Sequence, residues 1–156
     1  MRITPGKGSG SFAIAPIFKD EVVASFGGFV VNKQNLTNYS KDRVARSLQL
    51  NVDTYLLSGP NPEPGDMINH SCSPNCGIKG TSSVVALKDI QIGEELSFDY
   101  AMTDTSQYDE FVCEGNESNC RQKITGSDWQ NKELQSKYKN YFSSFVTNLI
   151  KLSHSK

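Results

Sequence analysis

Apolar residues in this chain fall in short runs separated by turn residues, except near the C-terminus. Phe12-Ala13-Ile14-Ala15 follows Gly6, Gly8 and Gly10 and is closed by Pro16, which predicts a flexible loop leading into an early strand. Val22-Val23-Ala24-Ser25-Phe26 predicts a second strand, ended by Gly27-Gly28. Residues 32–46 are polar and suit a surface loop or a short helix. From Leu48, the alternation of Leu48, Leu50 and Val52 with Gln49, Asn51 and Asp53 predicts a half-buried strand. Pro60, Pro62 and Pro64 then remove three amide donors, so residues 58–65 form a loop. Val84-Val85-Ala86-Leu87 predicts another strand, and Glu95 to Tyr100 alternates with Leu96, Phe98 and Tyr100 on one face.

The tail has a different period. Leu134, Tyr138, Tyr141, Phe145, Leu149 and Leu152 recur at three- and four-residue intervals, which predicts one amphipathic helix over 127–156 with Asp128 as its cap. The fold class is therefore mainly β, built from many short strands with a C-terminal helix.

Length sets the scale of the core. At 156 residues the chain suits one domain that can bury a core without obligatory staples, and 37% hydrophobic against 21% charged residues argues against disorder. No apolar run approaches the roughly 18 residues of a bilayer span, and the first residues lack the apolar stretch of a secretory leader. The expectation is an intracellular protein, cytoplasmic or nuclear, with no membrane partner, whose Cys72, Cys76, Cys113 and Cys120 are reduced thiols or metal ligands rather than a disulfide frame. A net charge of −1 argues against a direct nucleic-acid partner. The charge is unevenly spread: residues 101–120 carry Asp104, Asp109, Glu110, Glu114 and Glu117 with no Lys or Arg, while 121–156 are basic.

The densest chemistry lies in Asn69-His70-Ser71-Cys72-Ser73-Pro74-Asn75-Cys76. Taken alone, it allows a Cys/His nucleophilic pair, half of a metal site, or a loop whose amides grip a ligand. His70 and Cys72 are only two residues apart with no evident third group to orient them, unlike most thiol enzymes. The spacings Cys72-x3-Cys76 and Cys113-x6-Cys120 differ from the two-residue gap of common zinc knuckles.

Three stretches in order, Gly8-Ser9-Gly10-Ser11-Phe12-Ala13, Asn69-His70-Ser71-Cys72 and Gly93-Glu94-Glu95-Leu96-Ser97-Phe98-Asp99-Tyr100, together resemble the SET domain family of lysine methyltransferases. The resemblance covers roughly residues 5–103, and a weaker match to the family's post-SET segment continues through Phe111-Val112-Cys113 to Cys120-Arg121. It implies a SET domain over 1–103, a post-SET-like segment over 104–126 and the C-terminal helix beyond. The implied fold is a set of small β-sheets in which the segment ending at Tyr100 passes beneath a loop near Asn69 as a pseudoknot.

By the same resemblance, S-adenosylmethionine binds on one side, a protein lysine enters a channel from the other, and the methyl passes to its ε-amine. Tyr100 closes that channel, Phe98 occupies the position where the family has Phe or Tyr, and Tyr55 is similar to a second channel or cofactor-side tyrosine. Phe98 leaves more room than Tyr would, which favours di- or trimethylation. Lys7, Gly8, Gly10, Asn69, His70 and Phe111 correspond to cofactor contacts, with Phe111 covering the adenine. Cys72, Cys113 and Cys120 correspond to zinc ligands. The fourth family cysteine is replaced by Gly115, so Cys76 moves in, a water serves, or the metal is absent. The expected partner is a lysine-bearing protein such as a histone, landing on the acidic stretch, and the chain is a monomer or homodimer. The alternatives are a catalytically silent SET-like binding module and a small zinc-held interaction domain.

Overall fold

The computed structural model describes residues 1–4, 8–107, 110–115 and 117–155. Its strands are β1 (Arg2–Thr4), β2 (Gly8–Gly10), β3 (Val22–Ser25), β4 (Phe29–Asn32), β5 (Leu48–Asn51), β6 (Thr54–Leu57), β7 (Asn69–His70), β8 (Cys76–Lys79), β9 (Ser83–Ala86), β10 (Ser97–Phe98), β11 (Phe111–Val112) and β12 (Lys123–Ile124). The helices are α1 (Lys41–Ala45), α2 (Lys132–Lys137) and α3 (Ser144–His154). Among the described residues the strands form small sheets: β1-β2, β3-β9-β8, β4-β6-β5 and β11-β12 are antiparallel, and β7-β10 is parallel. This is the β-rich architecture that the short apolar runs and the SET resemblance predict.

Three local readings change. Residues 12–15 are not a strand: Phe12 makes a single bridge to Glu95, Ile17 another to Ile90, and Ile14 is 90% exposed. This stretch runs against residues 90–96 through interrupted hydrogen bonds, and the early strand is instead β2. In β5 the alternation fails at its end, since Gln49 is buried beside Leu48 while Val52 points outward. Gln49 accepts Thr105 N–H at 2.8 Å, which satisfies its amide oxygen inside.

The tail is two helices rather than one. Asn131 caps α2 by accepting Glu133 N–H, and Ser143 caps α3 by accepting Val146 N–H. Between them, Tyr141 C=O accepts Ile78 N–H and Ser144 N–H donates to Gly80 C=O, so the linker is bonded to β8 and its turn instead of continuing a helix. Gly77 permits that approach, because a Cβ there would stand 2.8 Å from Tyr141 Cβ. Asp128 opens a separate 3₁₀ turn, where its carboxylate receives Arg121 and Thr125.

The main core gathers Ile68, Ile78, Val84, Ala86, Ile90, Phe98 and Met102 with Leu134, Tyr138, Phe142 and Val146 of the tail. The tail thus completes the core that carries β8, β9 and β10. Smaller clusters form around Tyr55 and Leu57 and around Cys72, Cys113 and Ile124. Among the described residues no helix is long and apolar enough to cross a membrane.

Candidate active site

The parallel pairing of β7 with β10 sets the site. Ser97 lies opposite Asn69, Phe98 lies opposite His70, and Ser71 N–H donates to Phe98 C=O at 3.1 Å. Asn75 locks the crossing from the far end of the loop: its amide donates to Glu95 C=O at 2.8 Å and accepts Ser97 N–H at 2.9 Å. Two segments whose paired residues are 28 positions apart in sequence are thereby held in fixed register, and Tyr100 follows directly in a short 3₁₀ turn capped by Asp99.

Tyr100 N–H donates to His70 Nδ1 at 3.2 Å, and its hydroxyl donates to Ile68 C=O at 3.3 Å. A neutral imidazole that accepts at Nδ1 carries its hydrogen on Nε2, which faces Cys72 Sγ at 3.4 Å. The His70 ring meets Tyr100 edge-on at 5.3 Å and Phe111 at 5.6 Å; Phe98 lies 5.0 Å from Tyr100 and 6.0 Å from Phe26. Tyr100, Phe98, Phe26 and Ile68 line one cavity, whose polar wall comes from Gln49, Thr103, Asp104, Asp66 and Arg46. Arg46 is internally paired, to Asp42 at 2.7 Å and Asp66 at 3.3 Å. Burial pushes the Asp104 carboxyl up, against the lowering effect of hydrogen bonds from Ser106 and Thr105.

The structure thus brings Tyr100, Phe98, His70 and Phe111 together. Asn69 joins them from the other side, donating to Ser9 C=O of β2 at 3.2 Å and to Glu95 Oε1 at 2.8 Å. That contact also brings in the strand carrying Gly8 and Gly10. Gly8 has φ +78°, and a Cβ there would meet nothing within 4 Å. Lys7 lies outside the described residues. Tyr55 is not in the cavity lining: it is buried in the centre of the β4-β6-β5 sheet among Leu36 and Leu57, and burial raises its phenol pKa.

The sequence pattern marks Phe26 only as the end of a strand, Gln49 only as a polar position and Asp104 as part of the acidic stretch expected to receive the partner, none of them as cavity lining. Local period cannot reveal a cavity assembled from the end of β3, β5 and the chain after Tyr100. The aromatic at 26, just before Gly27-Gly28, was the one available sign.

The residues present fit S-adenosylmethionine in kind: an amide and backbone carbonyls, the Glu95 carboxylate, open space at Gly8 and the flat Phe111 ring beside His70. The zinc ligand set is altered. Cys72 and Cys113 are buried together with Cys120 packed against them, whereas Cys76 sits in the main core and does not move in. His70, Cys72 and Cys113 place their ligand atoms within 4.8 Å of one another. Burial pushes the Cys72 thiol up to about 11, and the Gln122 N–H directed at Cys120 lowers that thiol. A Cβ on Gly115 would stand 3.4 Å from Cys113 Sγ and overlap the Glu117 carboxylate. The donor set therefore fits zinc if an oxygen replaces the missing sulfur.

Comparison with known proteins agrees with this geometry. A family model described as "SET domain" matches residues 8–101. The chain is 27% identical over 78% of its length to a Caenorhabditis briggsae protein named "Probable histone-lysine N-methyltransferase set-23", covering 58% of that protein. It is 30% identical over 75% of its length to a histone-lysine N-methyltransferase of Mycosarcoma maydis named as H3 lysine-36 specific, covering 13% of it. A Schizosaccharomyces pombe enzyme named as H3 lysine-4 specific is 27% identical over 72% of this chain, which covers 13% of that enzyme. The chain thus spans less than two thirds of the length of each of these relatives. With the match extending over most of the chain, this protein belongs to the SET domain family.

Proposed function

We propose that this chain transfers a methyl group from S-adenosylmethionine to the ε-amine of a lysine in a protein substrate, with histone tails as the substrate class. The observation that carries this reading is the meeting of Tyr100, Phe98 and Phe26 in one ring-lined cavity beside the Asn69-His70 strand. The relatives named as histone-lysine methyltransferases support both the reaction and the substrate class.

The chemistry needs an uncharged amine. Taking a lysine from its reference pKa near 10.4 to neutral at pH 7 costs about 4–5 kcal/mol. Apolar walls from Phe26, Phe98 and Ile68 disfavour the ammonium form and lower that cost. The rings also fix the direction of the side chain and exclude water that would compete for the nitrogen lone pair. When bound, S-adenosylmethionine would supply an electrophilic methyl carbon on a positively charged sulfur, with the neutral thioether as leaving group.

Asn69, the Gly8–Gly10 backbone, His70 and Phe111 would hold the methyl donor, and Tyr100 would orient the amine through its hydroxyl. That hydroxyl is kept in place by Ile68 C=O and the Tyr100 backbone by His70. Asp104 at the cavity wall favours a cationic peptide outside the apolar channel. The test is incubation of the full chain with a deuterated-methyl donor and a panel of histones and other lysine-rich proteins, read by mass spectrometry. Label on lysine is the expected result; a folded, donor-binding chain that labels no lysine contradicts the reading.

A further inference from the structure

We infer that Cys72, Cys113, Cys120 and Glu117 form a zinc-binding set in which the Glu117 carboxylate replaces the thiolate that Gly115 cannot supply. Carboxylate oxygen is a normal zinc ligand alongside sulfur. Zn–S bonds of about 2.3 Å place tetrahedral ligand atoms about 3.8 Å apart. The buried sulfurs of Cys72 and Cys113 lie within 4.8 Å of each other and of a His70 ring nitrogen, and Cys120 packs against the pair.

The position of Glu117 singles it out. Its carboxylate fills the volume that a side chain at 115 would take, next to Cys113 Sγ. Ser71 Oγ donates to Glu117 Oε1 at 3.2 Å, which holds one oxygen and leaves Oε2 on the side of Gly115. Cys120 N–H donates to Glu117 C=O at 2.9 Å, so a single tight turn carries both the carboxylate and the third thiol.

His70 is the rival fourth ligand. For Nε2 to bind metal, its hydrogen would have to move to Nδ1, which already accepts Tyr100 N–H. His70 instead acts from outside, as an N–H donor toward Cys72 Sγ. Arg121 N–H at Cys72 Sγ and Gln122 N–H at Cys120 Sγ, each 3.4 Å, complete a shell of donors of the kind that supports metal-bound thiolates. The metal would tie the loop at Cys72 to the segment carrying Phe111, beside the proposed donor pocket.

The experiment titrates Co(II) alone into the reduced, metal-free full chain and follows sulfur-to-cobalt charge transfer and the visible ligand-field bands, with circular dichroism to verify folding. Wild type is expected to bind one Co(II) in a four-coordinate site. Glu117→Gln should weaken binding by more than about tenfold while keeping the fold. The double variant Gly115→Cys with Glu117→Gln should restore binding and raise the charge-transfer intensity by about one third, as three sulfurs become four. Unchanged affinity in Glu117→Gln, a folded wild type that binds no Co(II), or a double variant that gains no sulfur band would each overturn the inference. None of these outcomes bears on methyl transfer, which is read separately by mass spectrometry.

Discussion

Arg121 grips Asp99 with two parallel hydrogen bonds, Nη1 to Oδ2 at 2.6 Å and Nη2 to Oδ1 at 2.7 Å. Asp99 is fully buried and immediately precedes Tyr100, while Arg121 Nε also donates to Asp128 at 3.0 Å. One guanidinium therefore joins the segment after β10, the β11-β12 hairpin and the turn that opens the tail. Burial works against its charge, but the bonds to Asp99 outweigh that and push its pKa up.

Arg121→Leu leaves a buried carboxylate without its partner and should cost about 3–5 kcal/mol in chemical denaturation. Combining it with Asp99→Asn should cost less than the sum of the two single changes, because the second removes the stranded charge. A loss below about 1 kcal/mol for Arg121→Leu would show that the pair is not holding these segments together.

Phe98→Tyr brings a hydroxyl to the cavity wall, 5.0 Å ring to ring from Tyr100 and 6.0 Å from Phe26. The added oxygen and the water it retains leave less room around the amine. Mass spectrometry of the products should show a shift toward monomethyl-lysine, with di- and trimethyl forms reduced. An unchanged product ratio would mean that residue 98 does not limit the methylation state.

Asp104 gives a pH signature. Its carboxyl pKa is raised in the fold, chiefly by burial, so ionisation costs the native state more than the unfolded chain. That cost is absent below the unfolded value near 3.8 and is complete above the raised folded value. Asp104→Asn should therefore melt higher than wild type at neutral pH, and the gap should close as pH falls toward 3.8. A gap that widens on acidification would reverse the sign of this argument.

Ser143 caps α3, its side chain accepting Val146 N–H at 3.2 Å in a buried setting. Ser143→Ala should lower stability by about 1–2 kcal/mol. The loss should appear in denaturation midpoints without altering donor affinity, since Ser143 is not among the residues proposed to hold the donor. A neutral effect would mean that the linker bonds to Ile78 and Gly80, rather than the cap, stop and restart the helix.

What could be read before folding was what is local. The short apolar runs indicated the β-rich class, whereas the Asn69-to-Tyr100 crossing is non-local and was implied only by the family resemblance of the three ordered stretches. The tail was misread because Leu134 to Leu152 keeps helical spacing across a break. The bonds from Tyr141 and Ser144 to β8 and its turn are tertiary and leave no periodic trace. The cavity roles of Phe26, Gln49 and Asp104 escaped for the same reason: each becomes part of the cavity only when three separate segments meet. Glu117 belonged to an acidic run in the sequence, and only the fold shows its carboxylate in the space beside Gly115, where a Cβ would also approach Cys113.

The most direct measurement compares wild type with Tyr100→Phe in single-turnover transfer of a deuterated methyl to a histone substrate, both proteins verified as folded and donor-bound. The account predicts label on lysine with wild type and a rate slower by about 100-fold or more in the variant, as expected when a positioning hydroxyl is removed from a reacting group. Equal rates, or no labelled lysine from the wild-type chain, would contradict it.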